Sequence, residues 1–186
     1  MMRLSDFLVL VRGGAGSRIN RTPSPLLARG VPWASVILAS IVPLWLTVAS
    51  APLLPPMGFL LFISWRQLHP GLLPIWAGLP LGFIDDLYSG QPIGSAVLLW
   101  SAAAIALDFV ETRLPWRNSQ TDWLLAAFVI AAYILISLLF ANVAGGSTPV
   151  QVVLPQIALS MLCYPLVDRL VAWFDRLRLI PFLEIR

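Results

Sequence analysis

The chain has 186 residues, of which 59% are hydrophobic and only 11% charged, and its mean hydropathy is +0.85. A soluble domain carries about 25% charged residues, and a chain this short has no interior large enough to hide so much apolar surface, so lipid is its solvent and a water-soluble globular protein is excluded. The formal charge is +3 and every one of the twelve basic residues is an arginine; they fall between apolar runs, where they orient a membrane protein, and do not point to nucleic acid.

Residues 1–30 hold Arg3, Arg12, Arg18, Arg21 and Arg29 with Gly and Ser between them, which reads as a basic cytoplasmic tail. The apolar patch at 7–11 is shorter than the ~7–15-residue core of a signal peptide. Ser5 can cap a short helix on the membrane surface; a disordered positive tail is the plainer alternative. A six-span membrane domain is expected over 31–180, with a tail at 181–186.

Residues 31–51 form the first span, with a kink expected at Pro43. Pro52, Pro55 and Pro56 make a stiff turn. Residues 57–65 are the weakest span, because counting from Pro52 only fourteen residues precede Arg66; it is short, tilted or re-entrant. A loop at 66–71 follows. Residues 72–87 are the third span, with Pro80 inside it, and 92–110 the fourth, with Asp108 near its end. The polar loop 111–122 ends in Ser119-Gln-Thr-Asp122, which resembles a capping box. Residues 123–144 are the fifth span. Thr148-Pro149-Val150-Gln151 signals a new helix start, with a Thr cap, Pro at the first helical position and Gln three residues after the cap. The sixth span covers 150–167. From 166 to 180 the chain stays helical in period but amphipathic, so the helix is expected to bend along the membrane surface until Pro181.

Arginine positions test this topology. With six spans both termini lie inside, and all twelve arginines fall on that side; without the second span the five N-terminal arginines change face. The positive-inside rule favours six.

The stretch 76–100 stands out. Gly78, Gly82, Asp86, Gly90 and Gly94 recur at steps of four, and Pro92 breaks regular helix between two apolar segments. This predicts a tight helical hairpin whose small residues line a seam of close backbone contact. Asp85 and Asp86 are adjacent, so on a helix they point about 100° apart. The DDxxD arrangement that shares magnesium fails at Ser89. A solvated helix end is one reading of the pair; orienting the turn or contacting a partner is the other. Asp108, with Glu111, Arg113 and Arg117 after it, reads as interfacial, since a carboxylate at mid-membrane carries a penalty of about 2.5–3.5 kcal/mol. Asp168 and Arg169 mark the exit of the last span. His69 stands alone in its loop, and lone Cys163 makes neither a disulfide nor a cysteine metal site. No nucleophile elbow, phosphate loop or Cys-x-x-Cys occurs. No catalytic residue, cofactor or metal is therefore expected. The eight tryptophans lie mostly at span ends, as in aromatic belts.

Leu79-Pro-Leu-Gly-Phe-Ile-Asp-Asp-Leu-Tyr-Ser-Gly-Gln-Pro-Ile-Gly94 resembles the core stretch of the rod shape-determining protein MreD family. The likeness is carried by Gly82, Asp86, Gly90, Pro92 and Gly94, and Tyr164-Pro-Leu-Val-Asp-Arg169 is also similar. The resemblance implies a multi-pass protein of the bacterial inner membrane. Its partner would be MreC and, through it, the MreB filament and RodA with its transpeptidase. It also implies an all-α bundle like the substrate-binding subunits of energy-coupling-factor transporters. The expected function is a non-enzymatic scaffold that holds the membrane helix of MreC and helps place lateral peptidoglycan synthesis, with Gly82, Asp85, Asp86, Gly90, Pro92 and Gly94 as candidate hairpin or partner-packing residues. The alternative is a small-molecule-binding or transport subunit, which needs polar groups converging near mid-membrane; Ser101, Ser137, Asn142, Gln156 and Ser160 are the few available.

Overall fold

The computed structural model describes residues 25–46, 54–113 and 118–178, with the backbone alone at 25–28 and 43–46. The described chain has helices and no strands: α1 Pro25–Leu46, α2 Met57–Leu68, α3 Gly78–Ser89, α4 Ser95–Arg113, α5 Ser119–Val143 and α6 Leu154–Arg178. Single 3-10 turns, Ile75–Ala77 and Val150–Val152, lead into α3 and α6. Three helices, α4, α5 and α6 with its leading turn, are long and apolar enough to cross a membrane. Their outward positions are apolar too: Phe128 and Leu162 are each 73% exposed. Such a surface suits hydrocarbon and not water.

α2, the segment expected to be the weakest span, is the centre of the molecule. Its twelve residues make about 18 Å of helix, too short to cross ~30 Å of hydrocarbon upright. Yet every residue from Gly58 to Arg66 is buried. A helix that is apolar all round must be surrounded, and α2 packs against α1, α4, α5 and α6. Phe59 and Phe62 meet Trp100 of α4 with ring centroids 5.6 and 5.1 Å apart, and Phe59 stacks on Tyr133 of α5 at 4.0 Å.

Several helix boundaries differ from those read in the sequence, each for a local reason. α1 begins at Pro25, ahead of the expected 31, and its helical backbone carries through Pro43. Residues 72–74 are not helical and α3 starts at Gly78. Pro80 thus falls in the first turn, where its missing N–H leaves no gap. α5 is capped one residue early: Asn118 Oδ1 accepts from Thr121 N at 2.9 Å and Thr121 Oγ1 from Asn118 N at 3.0 Å. Thr148 caps nothing; its N–H donates to Asn142 Oδ1 and its carbonyl accepts from Asn142 Nδ2, which fixes the α5–α6 turn.

The amphipathic end of α6 packs on the bundle. It continues as one helix to Arg178 and buries Val167 and Val171 against the bundle. His69, expected to stand alone, contacts Asp175 Oδ1 through Nε2 at 2.9 Å, and Arg178 Nε donates to the same oxygen at 2.6 Å. The Arg178 guanidinium lies 5.9 Å from the Trp65 ring centroid. The expectations at Ser5, Pro52, Arg117, Pro181 and both tails lie outside the described residues.

Candidate functional site

The hairpin of α3 and α4 is where sequence spacing and geometry meet. Gly78 and Gly82 lie on the face of α3 against α4. A Cβ on Gly82 would stand 2.7 Å from the Ala96 carbonyl oxygen and 2.8 Å from Val97 Cα; one on Gly78 would stand 2.9 Å from Ser101 Cα. Those neighbours are backbone and have no rotamer to move into, so only glycine permits the approach.

Past Asp86 the four-residue step changes meaning. Gly90 is the C-cap of α3 at φ +67°, and Gly94 precedes α4 at φ +96°. A Cβ at either would meet nothing within 4 Å. The expected seam therefore ends on α3, and Gly94 is not inside a span. Pro92 is outside the helix as well; its carbonyl accepts from Ser95 N at 3.0 Å and closes the turn. Both glycines serve a left-handed backbone that L side chains adopt at a cost.

Asp86 closes the structure. It is 3% exposed, so the reading as a solvated helix end does not hold. Its Oδ2 accepts from Gly94 N at 2.9 Å and Val97 N at 3.2 Å; its Oδ1 accepts from Ala96 N at 2.9 Å and Ser95 Oγ at 3.3 Å. The first N–H groups of a helix have no partner within it. Here Ser95 N goes to Pro92 O and Leu98 N to Gly94 O, and Asp86 takes those between. A carboxylate from α3 is thus the cap of α4, and negative charge is favoured at that end of the helix dipole. Gly82 and Asp86, one turn apart, act together: the glycine lets the helices touch and the carboxylate fixes their ends.

Asp85 points elsewhere. Tyr133 Oη donates to its Oδ2 at 3.4 Å. The two aspartates serve different helices, and among the described residues no three His, Cys, Asp or Glu side chains gather to hold a metal ion.

The opposite end of the bundle carries a residue that the sequence reading left as loop. Arg66 is 6% exposed, donates from Nη1 to Leu73 O at 2.8 Å, and has Nη2 3.7 Å from Asp108 Oδ1. Asp108, expected to be interfacial, is thus half of an ion pair. The signal was a single cation ending an apolar run: such a residue must snorkel or find a carboxylate. Asp168 accepts from Ser64 Oγ at 2.8 Å.

Four of the five polar groups that a transport site would need are engaged elsewhere, and the Ser137 hydroxyl is buried with no hydrogen-bond partner among the described residues. Ser101 Oγ donates to Val97 O, Ser160 Oγ to Gln156 O and Gln156 Nε2 to Leu54 O, while Asn142 holds Thr148. These bonds serve the backbone of their own or neighbouring segments.

One substitution separates backbone strain from overpacking. Gly94→Leu is expected to lose about 1–2 kcal/mol, the cost of a left-handed backbone for an L residue. Gly94→Asn is expected to lose less, since asparagine tolerates that region. Thermal unfolding in mild detergent orders them. Equal losses from both would remove the assignment of Gly94 to a conformational role.

A family model described as rod shape-determining protein MreD matches residues 28–176. Comparisons with curated proteins and with solved structures returned no match.

Proposed function

We propose, because this chain belongs to the rod shape-determining protein MreD family, that it is a non-enzymatic scaffold of the machinery that elongates rod-shaped cells. Membership carries a role in rod shape determination and residence in a membrane. In the finer reading, the chain crosses the inner membrane six times with both termini in the cytoplasm, in a bundle akin to the substrate-binding subunits of energy-coupling-factor transporters. It holds the membrane helix of MreC and so links MreB and RodA to lateral wall synthesis.

The family match over most of the chain carries this reading. The α3–α4 hairpin supports a scaffold: glycine-to-backbone contact and a four-donor carboxylate cap make one rigid unit. Rigid elements place partners better than loops do. The engagement of mid-span polar groups by backbone also favours a scaffold over a carrier.

Depletion of the protein is expected to turn rods into spheres, and a tagged wild-type copy is expected to co-purify MreC. Depleted cells that keep their rod form would count against the family role; rounding on depletion with no MreC in the material that co-purifies with the tagged copy would remove only the partner. Topology has its own test. A phosphatase active only outside the cytoplasm, fused after Arg186, is expected to be inactive, because all twelve arginines sit inside in the six-span arrangement. Strong activity there would end that arrangement.

A further inference from the structure

We infer that the cleft between the end of α2, the start of α5 and the middle of α6 binds the headgroup of an aminophospholipid. The inference rests on the topology proposed above, which puts this cleft at the inner face of the membrane. Its volume is about 870 Å³, within the ~300–1,000 Å³ of small-molecule sites.

The lining has the chemistry of a zwitterion site. Gln67 accepts from Tyr164 Oη at 2.8 Å through Oε1, while its Nε2 is buried with no hydrogen-bond partner. A buried donor without an acceptor is costly, and an acceptor brought by a ligand would complete it. Arg169 lines the cleft and forms no ion pair among the described residues. Asp168 lines it too; its Oδ1 takes the Ser64 hydroxyl, which leaves Oδ2 for a cation. A purely anionic headgroup would set its charge against Asp168 and bring no cation for it. A headgroup with phosphate for Arg169 and Gln67, and a primary ammonium for Asp168, satisfies both signs with charge-assisted hydrogen bonds.

The apolar surroundings say why the ligand is a lipid rather than a soluble zwitterion. Leu124 is part of the cleft wall, and one turn further along α5 lies Phe128, 73% exposed. On α6, Leu162 lies one turn before Pro165 in the same direction, at 73% exposed. Both tracks lead from the polar cleft into the membrane, as acyl chains must. Trp123 lines the cleft and is 40% exposed, as suits an indole at the membrane interface.

The test uses the full chain in mild detergent, exposed to equal amounts of dioleoyl phosphatidylethanolamine, phosphatidylglycerol and phosphatidylcholine, with retained lipid read by native mass spectrometry. Phosphatidylethanolamine is expected to be retained about tenfold over the other two, which is ~1.4 kcal/mol. Asp168→Asn, which keeps an acceptor for Ser64, is expected to abolish that preference. Gln67→Met, which keeps length and removes the amide, is expected to lower retention of all bound phospholipid. Unfolding temperatures measured without lipid identify a variant that fails to fold, and the other variant then decides. Equal retention of the three lipids, preference for phosphatidylglycerol, or retention unaltered in both variants would overturn the proposal. So would a cleft found filled by a co-purified protein segment with no lipid retained. The phosphatase fusion reads topology separately, so failure of the lipid site and failure of the scaffold arrangement are distinguishable.

Discussion

Gly82→Leu is expected to empty the membrane of this protein while its synthesis continues. The Cβ alone would lie 2.7 Å from the Ala96 carbonyl oxygen and 2.8 Å from Val97 Cα. Neither atom can swing aside, because both belong to the backbone of α4. The helices must separate, and overpacking of this kind costs typically about 1–3 kcal/mol. Separation has a second effect. Asp86 sits one turn further along α3 and accepts from Ala96 N and Val97 N, so moving α4 outward pulls those donors from their only cap. The two losses compound, and the effect should exceed that of Gly94→Leu, where a Cβ meets nothing. Phe83→Leu, on the outward face at 50% exposed, is the control and should be near neutral. Membrane abundance and unfolding temperature in detergent give the order. Normal abundance of Gly82→Leu, with an unfolding temperature like that of Phe83→Leu, would mean that α3 and α4 do not approach as described.

Most of the helical plan was legible because lipid imposes it. Runs of about twenty apolar residues are forced by the bilayer, and α4, α5 and α6 were found where those runs lie. Steps of four among Gly78, Gly82 and Asp86 put these residues on one face of α3, since one turn of helix returns to the same face. Legibility ended where period stops being informative. Gly90 and Gly94 continue the same arithmetic, but the chain between them is turn, and there glycine answers to φ rather than to contact. Length ranked α2 last, though it is the most enclosed helix. An apolar run carries no mark of whether lipid or protein will surround it. Long-range polar pairs were the other gap. Arg66 with Asp108, His69 with Asp175 and Asp168 with Ser64 join residues far apart in the chain. No local pattern predicts which charged end will meet which; only the packing of α2 against α4 and α6 brings them together. The charges at the end of the last helix were illegible for the same reason: His69 and Trp65, which lie beside Asp175 and Arg178, are far away in the chain.

Asp86→Asn is expected to lose about 3 kcal/mol or more, and Asp85→Asn far less. The two substitutions are chemically identical and one residue apart, so the difference isolates environment. At position 86 both carboxylate oxygens are in use: Oδ2 by Gly94 N and Val97 N, Oδ1 by Ala96 N and Ser95 Oγ. Asparagine keeps one oxygen and turns an amide NH2 toward the other set of donors. At least one backbone donor loses its acceptor whichever way the amide is oriented, and N–H faces N–H in a site that is 3% exposed. A hydrogen bond to a charged acceptor contributes about 1.5–3 kcal/mol, and loss of negative charge at the start of α4 adds about 0.3–1 kcal/mol more. Against a typical total stability of about 5–15 kcal/mol, that is a large fraction. At position 85 the one described hydrogen bond is the 3.4 Å contact from Tyr133. An asparagine oxygen can accept it, and the substitution removes a charge from among apolar helices, so the loss should stay under about 1 kcal/mol. Chemical unfolding of both variants in detergent measures the pair directly, and the membrane abundance of each measures it in cells. Function should follow stability: the Asp85 variant should sustain rod form and the Asp86 variant should not. Equal destabilisation by the two, or a larger loss at 85, would show that Asp86 is not the cap that holds α3 and α4 together. A stable, abundant Asp85→Asn that nonetheless leaves cells round would move the functional weight of the hairpin from its cap to the Asp85–Tyr133 contact.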